Sequence, residues 1–163
     1  YKHALINTPI GELLLISKNN KLCQIVLENR ISTYLKNAEL RKKRIFNDNL
    51  DKCLTSSINQ IREYFTNQRR TFDIKLEMSM PPFYSKVLKE VRNIPYGEVR
   101  SYKDIASKVG SPNAYRATGT ANSKNTIPII IPCHRVIGKN GDLGGYGGGL
   151  KIKKYLLKME GLI

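Results

Sequence analysis

The sequence contains no run of roughly 18 apolar residues, so no helix in it is expected to span a membrane. Its opening, Tyr1-Lys2-His3, lacks the charged-then-apolar layout of a secretory signal, and an intracellular, cytoplasmic protein is expected. Only three cysteines occur, Cys23, Cys53 and Cys133, with no CxxC pair. That excludes a complete disulfide framework and leaves each thiol as either buried filler or chemistry. Acidic residues are also scarce, 13 against 28 Lys and Arg, which gives a formal net charge of +15. So basic a balance points to a polyanion, and without an anchor to nucleic acid rather than a membrane surface. What is present is a 40% apolar content over 163 residues, enough for one ordinary domain or two small ones with a core.

The chain divides near Met78-Ser79-Met80-Pro81-Pro82, since two prolines in sequence continue neither helix nor sheet. Before it, residues 1–7, 12–17 and 22–28 read as strands, punctuated by Thr8-Pro9-Ile10-Gly11 and Asn19-Asn20. Alternation there predicts that Cys23, Ile25 and Leu27 face one core. Leu50, Leu54, Ile58, Ile61 and Phe65 recur at helical spacing, and residues 71–76 read as one more strand. The basic run Arg41-Lys42-Lys43-Arg44 reads as a solvated loop. Residues 1–78 hold 14 basic and 8 acidic side chains, net +6, and residues 79–163 hold 14 and 5, net +9. The second domain, 79–163, is therefore the better anion-binding candidate.

In that second domain Val87, Leu88, Val91 and Ile94 mark a helix ended by Pro95. Ser101-Tyr102-Lys103-Asp104 has the capping pattern of a new helix, with Ile105, Ala106 and Val109 as its apolar face and Gly110 as its stop. Ser111-Pro112 predicts an immediate restart, and two short helices around so tight a turn read as a helix-turn-helix. The second of them carries Ala114, Ala117, Gly119 and Ala121 with Arg116 as its one long cation. Such a helix cannot read base edges with several long polar groups, but it can approach a backbone closely or enter a narrower groove. Tight packing on another helix is the other reading of the same small residues.

The richest segment is Asn125-Thr126-Ile127-Pro128-Ile129-Ile130-Ile131-Pro132-Cys133-His134-Arg135-Val136. Its apolar run predicts a buried strand or extended segment that delivers Cys133 beside a histidine and an arginine. A thiol reacts as thiolate, so a catalytic cysteine needs a base or a positive charge nearby, and His134 and Arg135 supply both types. An imidazole base is best held by a carboxylate on its other nitrogen. The candidates are Glu90, Glu98, Asp104, Asp142 and Glu160, and spacing alone does not choose among them. Glu160 ends a helix whose expected face is Ile152, Tyr155, Leu156 and Met159. The loop Gly144-Gly145-Tyr146-Gly147-Gly148-Gly149 lets backbone N–H groups approach a ligand, but it lacks the Lys and Ser/Thr of a P-loop.

Several blocks in register carry a resemblance that covers residues 83–161. They are Pro95-Tyr96-Gly97-Glu98-Val99, Ser101-Tyr102, Arg116-Ala117, Asn125, Ile131-Pro132-Cys133-His134-Arg135-Val136 and Gly145-Tyr146-Gly147-Gly148. Together they resemble the methylated-DNA–protein-cysteine methyltransferases, the O6-alkylguanine-DNA alkyltransferase family. The resemblance implies an α+β chain, with a small ribonuclease-H-like α/β domain over 1–78 and a mostly helical domain with a helix-turn-helix over 79–163. It implies suicide repair, in which Cys133 takes the alkyl group from guanine O6 in double-stranded DNA and keeps it, with no cofactor and no metal. Activity on O4-alkylthymine is left open.

Residue by residue, the resemblance casts His134 (through a water) and Glu160 as the proton relay, and Asn125 as the hinge. Arg116 resembles the finger that fills the emptied stack. Tyr102 resembles the group that turns the target phosphate and hydrogen-bonds the guanine. The carbonyls of Cys133 and Val136 would accept the exocyclic amine, with Tyr146 and the Gly147 amide lining the pocket and Arg135 counted among the substrate and DNA contacts. It further implies minor-groove binding by a monomer. Thr126, Thr118 and Gly147 depart from the family's usual Pro, Val and Ser. The alternatives are a non-catalytic alkyltransferase-like lesion binder and a cysteine hydrolase.

Overall fold

A computed structural model describes residues 1–37 and 49–163, so the basic run at 41–44 lies outside the described residues. Two units result, Tyr1–Glu77 and Met78–Ile163.

In the first unit, β1 (Lys2–Thr8), β2 (Gly11–Lys18) and β3 (Lys21–Leu27) form an antiparallel meander. Asn19 and Asn20 make the second hairpin with φ of 51° and 58°, the left-handed pair that a tight mirror-image turn requires and that Asn tolerates. Leu13, Leu14, Leu15 and Ile16 of β2 are all buried, because helices cover both faces. On one face α1 (Glu28–Asn37) lays Ile31, Tyr34 and Leu35 against Leu14, Ile16 and Val26. On the other packs α2 (Lys52–Phe65), burying Leu54, Ile58, Ile61 and Tyr64. Its N-cap Asp51 accepts from the Leu54 amide at 2.8 Å and from the Ser17 hydroxyl at 2.6 Å, tying helix to sheet.

Two expectations are corrected here. Cys23 does not share a face with Ile25 and Leu27. The β2–β3 register shifts between Ile16 and Ser17, so Cys23 occupies a bulge and turns toward the α1 side. Residues 71–76 are not a strand: Leu76 alone bridges Leu22. The Gln60 side chain takes the place of a ladder partner, accepting from the Asp73 amide at 2.8 Å and donating to its carbonyl at 3.0 Å.

In the second unit α3 (Pro82–Arg92) packs on the hairpin of α4 (Tyr102–Lys108) and α5 (Tyr115–Ser123). α4 starts at a reciprocal capping box between Ser101 and Asp104 and is stopped by Gly110, whose φ is 80°. The expected restart at Pro112 does not occur. Ser111, Pro112, Asn113 and Ala114 form a turn closed by the Ala114 amide on the Ser111 carbonyl at 2.9 Å, a turn in which Pro favours the second place. α5 begins only at Tyr115. Two-residue strands β4 (Arg100–Ser101) and β5 (Val136–Ile137) pair in parallel, and α6 (Leu150–Met159) closes the unit.

The inward face of α6 is Lys153, Leu156, Leu157 and Glu160, while Tyr155 is 41% exposed. The buried stripe is therefore turned by one position from the face expected for this helix. None of the described helices is long and apolar enough to cross a membrane.

Candidate active site

Cys133 does not arrive on a strand. Residues 125–132 fold into successive turns, pinned by Asn125, whose Nδ2 donates to the Ile131 carbonyl at 2.9 Å and whose Oδ1 accepts from the Ile127 amide at 3.0 Å. Ile129 takes φ 75°, a left-handed conformation that costs a β-branched residue about 1–3 kcal/mol. Buried Ile127, Ile130 and Ile131 around it hold that conformation in place. The segment ends in a single 3-10 turn, Cys133–Arg135, whose three side chains are all buried. Asn122 of α5 donates to the Cys133 carbonyl at 3.2 Å and so ties the helix-turn-helix to the turn.

The turn delivers its side chains to the C-terminal end of α6. His134 Nε2 lies 2.6 Å from Glu160 Oε2, and Arg135 Nε donates to Glu160 Oε1 at 2.7 Å. Burial by itself would raise Glu160, but hydrogen bonds and charge from His134 and Arg135 hold it down to about 2. Burial, against the pull of Glu160, keeps His134 below 6.5, so the imidazole is neutral at neutral pH. An ionised carboxylate only accepts, which puts the proton on Nε2 and leaves Nδ1 as a free lone pair. Nδ1 is buried and has no hydrogen-bond partner among the described residues. The pair is thus a neutral base with one end anchored and the other uncommitted.

Burial pushes the Cys133 thiol up, so it rests protonated at neutral pH. The Asn125 side chain, the Lys153 charge and the backbone amides of Cys133 and His134 oppose that rise and would favour the thiolate once a base takes the proton. Cys133 is buried, with 6% of the residue exposed. Cys23 and Cys53 are also free thiols raised by burial.

Two phenols lie within the electrostatic reach of Cys133, Tyr102 and Tyr146, both raised first by burial and then by the thiol's charge. The Tyr102 hydroxyl occupies the space a Cβ on Gly144 would fill, 2.6 Å from it, and the ring lies along Gly119 of α5. The Tyr146 hydroxyl is buried with no hydrogen-bond partner among the described residues. Val136 extends the turn into β5, and Gly147 is exposed on the loop. Arg116 is exposed at the start of α5 with its guanidinium 5.9 Å from the Tyr115 ring, and Lys103 covers the same ring at 5.3 Å. Of the small residues of α5, Ala121 is buried in packing, whereas Ala117 faces solvent beside Arg116.

Arg135 turns inward. Its guanidinium is buried, bonded to Glu160 and to the Ile94 carbonyl at 2.7 Å, and stacked on Tyr96 at 5.7 Å. In this position it braces the Glu160 carboxylate. Sequence reasoning passed over Asn122 and Lys153. Lys153 had one signal, a cation in line with Leu156, Leu157 and Glu160 at helical spacing. Among the described residues no three His, Cys, Asp or Glu side chains gather as metal ligands do.

Comparison with known proteins agrees with this geometry. Residues 82–162 match the family described as 6-O-methylguanine DNA methyltransferase, DNA binding domain, and residues 1–78 match its ribonuclease-like domain. A constitutive methylated-DNA–protein-cysteine methyltransferase of Bacillus subtilis is 41% identical over 154 residues, covering 94% of this chain and 91% of its own. One from Methanosarcina mazei is 41% identical over 162 residues, covering 98% and 96%. The crystal structure of Mycobacterium tuberculosis OGT in complex with DNA superimposes with a TM-score of 0.81 at 36% identity, covering 98% of this chain and 92% of that one.

Proposed function

We infer that this chain, which belongs to the methylated-DNA–protein-cysteine methyltransferase family, repairs DNA by moving an alkyl group onto one of its own cysteines. Cys133 is the acceptor. The observation that carries this is His134, the residue after Cys133, buried and paired with Glu160, with an uncommitted Nδ1 able to take the thiol proton through a bridging water.

The substrate we assign is O6-alkylguanine in duplex DNA. Cys133 loses its proton to His134, and Sγ attacks the alkyl carbon while the bond from that carbon to O6 breaks. The electron pair stays on the guanine, which regains a proton at N1, and the imidazolium returns its own to solvent. A thioether is not displaced again, so each molecule acts once.

The burial of Cys133 supports flipping of the base, because a buried thiol does not reach an alkyl group that lies inside the stack until the nucleotide is extruded. Arg116 fills the gap that extrusion leaves. Tyr102 hydrogen-bonds the flipped guanine, and Tyr146 and the Gly147 amide line its pocket. We assign the exocyclic amine to the carbonyls of Cys133 and Val136; the first already accepts from the Asn122 side chain and the Val136 amide, and the second from Lys153.

The exposed face of α5, with Arg116 and Lys124 among small side chains, fits the minor groove. A lesion offers no pair of half-sites for a dimer to match, which favours a monomer, and DNA as substrate favours a cytoplasmic site of action. Incubation with a duplex carrying O6-methylguanine, followed by peptide mass measurement, tests the assignment. One methyl on the peptide containing Cys133 is expected, and a methyl on Cys23 or Cys53 instead would overturn it.

A further inference from the structure

We propose that Lys153 is a positioning residue for alkyl transfer, its buried ammonium fastening the Gly-rich loop to the backbone beside the nucleophile. This rests on Cys133 being the acceptor. The Lys153 side chain is fully buried within α6. Its Nζ donates to the carbonyls of Val136 at 2.7 Å, Leu143, and Gly145 at 3.4 Å. Three N–H donors therefore meet three carbonyls, all of them neutral.

Burying an ammonium among neutral groups is costly, and a methionine would fill nearly the same volume without that cost. Desolvation accordingly lowers Lys153 to about 8, with the charges of Cys133 and Asp142 pulling the other way. What the charge secures lies on either side of it. Val136 follows the Cys133–Arg135 turn, and Leu143 and Gly145 bracket Gly144, against which the Tyr102 hydroxyl rests. Tyr146 comes next in the chain and sends its buried hydroxyl into the same region. One side chain thus joins the backbone of the nucleophile's turn to the loop that places both phenols, and its charge also favours the Cys133 thiolate.

The test compares Lys153→Met and Lys153→Arg with the unaltered protein on a duplex containing O6-methylguanine. Three quantities are read: the rate of methyl transfer in a single turnover at saturating DNA, the Kd for DNA, and the melting temperature. Lys153→Met is expected to slow transfer on the order of 10- to 100-fold per folded molecule at unchanged Kd, as a small misplacement of reacting groups does. Lys153→Arg is expected to recover most of the rate.

A folded Lys153→Met protein with the unaltered rate would overturn the proposal, as would a loss that Lys153→Arg does not relieve. Should Lys153→Met not fold, Lys153→Gln replaces it under the same criteria. Failure of both to fold would also overturn the proposal, because the lysine would then serve the fold alone. If the unaltered protein transfers no methyl, the acceptor assignment itself is wrong, an outcome distinct from equal rates in all variants.

Discussion

His134 Nε2 and Glu160 Oε2 stand 2.6 Å apart with neither side chain exposed, although 26 residues separate them in the chain. Glu160 is the C-cap of α6 and His134 the middle of the 3-10 turn, so two separate elements must meet before the base is oriented. Arg135 braces the same carboxylate from its other oxygen. The carboxylate therefore stays ionised, and the imidazole keeps its basic nitrogen turned away from it.

Glu160→Gln is expected to slow methyl transfer by about 100-fold, the lower end of what a positioned general base contributes. DNA affinity should not change, because the Glu160 side chain is fully buried. The substitution leaves Arg135 buried without its counter-charge, and a loss of about 3 kcal/mol in unfolding free energy is expected. Single-turnover rates and denaturant unfolding measure the two effects separately.

The pH dependence has two signs. His134 titrates below 6.5 in the folded protein, so transfer per folded molecule should hold as pH falls through 6.5 and drop only further down. Stability behaves differently, because the unfolded chain binds a proton at His134 near 6.5 and the folded chain does not; stability therefore declines below that pH. Glu160 adds a second decline, present in full above 4.5 and lost as pH falls toward about 2. Transfer rates and melting temperatures across pH 3 to 8 would check both; a rate that halves at 6.5 would contradict the neutral, buried imidazole.

Gly144→Ala should slow transfer while leaving DNA binding intact. The added Cβ would stand 2.6 Å from the Tyr102 hydroxyl, and the backbone there has φ 67°. Strain of about 1–2 kcal/mol is expected from that conformation alone. Gly119→Ala is the matched control, since its Cβ would meet the Tyr102 ring at an ordinary 3.7 Å. Equal rates in the two variants would remove Tyr102 from the pocket.

Arg116→Ala should weaken transfer from duplex DNA far more than transfer from a free O6-alkylguanine base, because only the duplex has a stack to fill. The exposed guanidinium has no role in the packing of its unit beyond its contact with Tyr115. Equal losses on both substrates would show that Arg116 supports the fold instead. Affinity for DNA should fall steeply with salt in both proteins, as phosphate neutralisation requires.

Much of the fold was legible because it rests on local rules: the Asn-Asn turn, the Ser101 capping box, the Gly110 stop and the helical spacing of α2. α1 was not, since it buries no residue fully and its Ile31, Tyr34 and Leu35 show a pattern only once a sheet lies beneath them. The turns at 125–132 were read as extended because an isoleucine run hides the left-handed Ile129, which surrounding packing imposes. Cys133 and His134 were visible as neighbours. Choosing Glu160 among five carboxylates needed the tertiary contact. Lys153 was not legible because long cations are ordinarily exposed, and here it turns inward to buried carbonyls, as Arg135 does to the Ile94 carbonyl.

The most direct measurement is a titration of fixed protein with rising amounts of duplex containing radiolabelled O6-methylguanine. Protein-bound label should climb to a plateau of one methyl per molecule, all of it on Cys133, and Cys133→Ala should bind the duplex and take up none. Label that exceeds one per molecule, or that is released so that repair continues, would contradict the account.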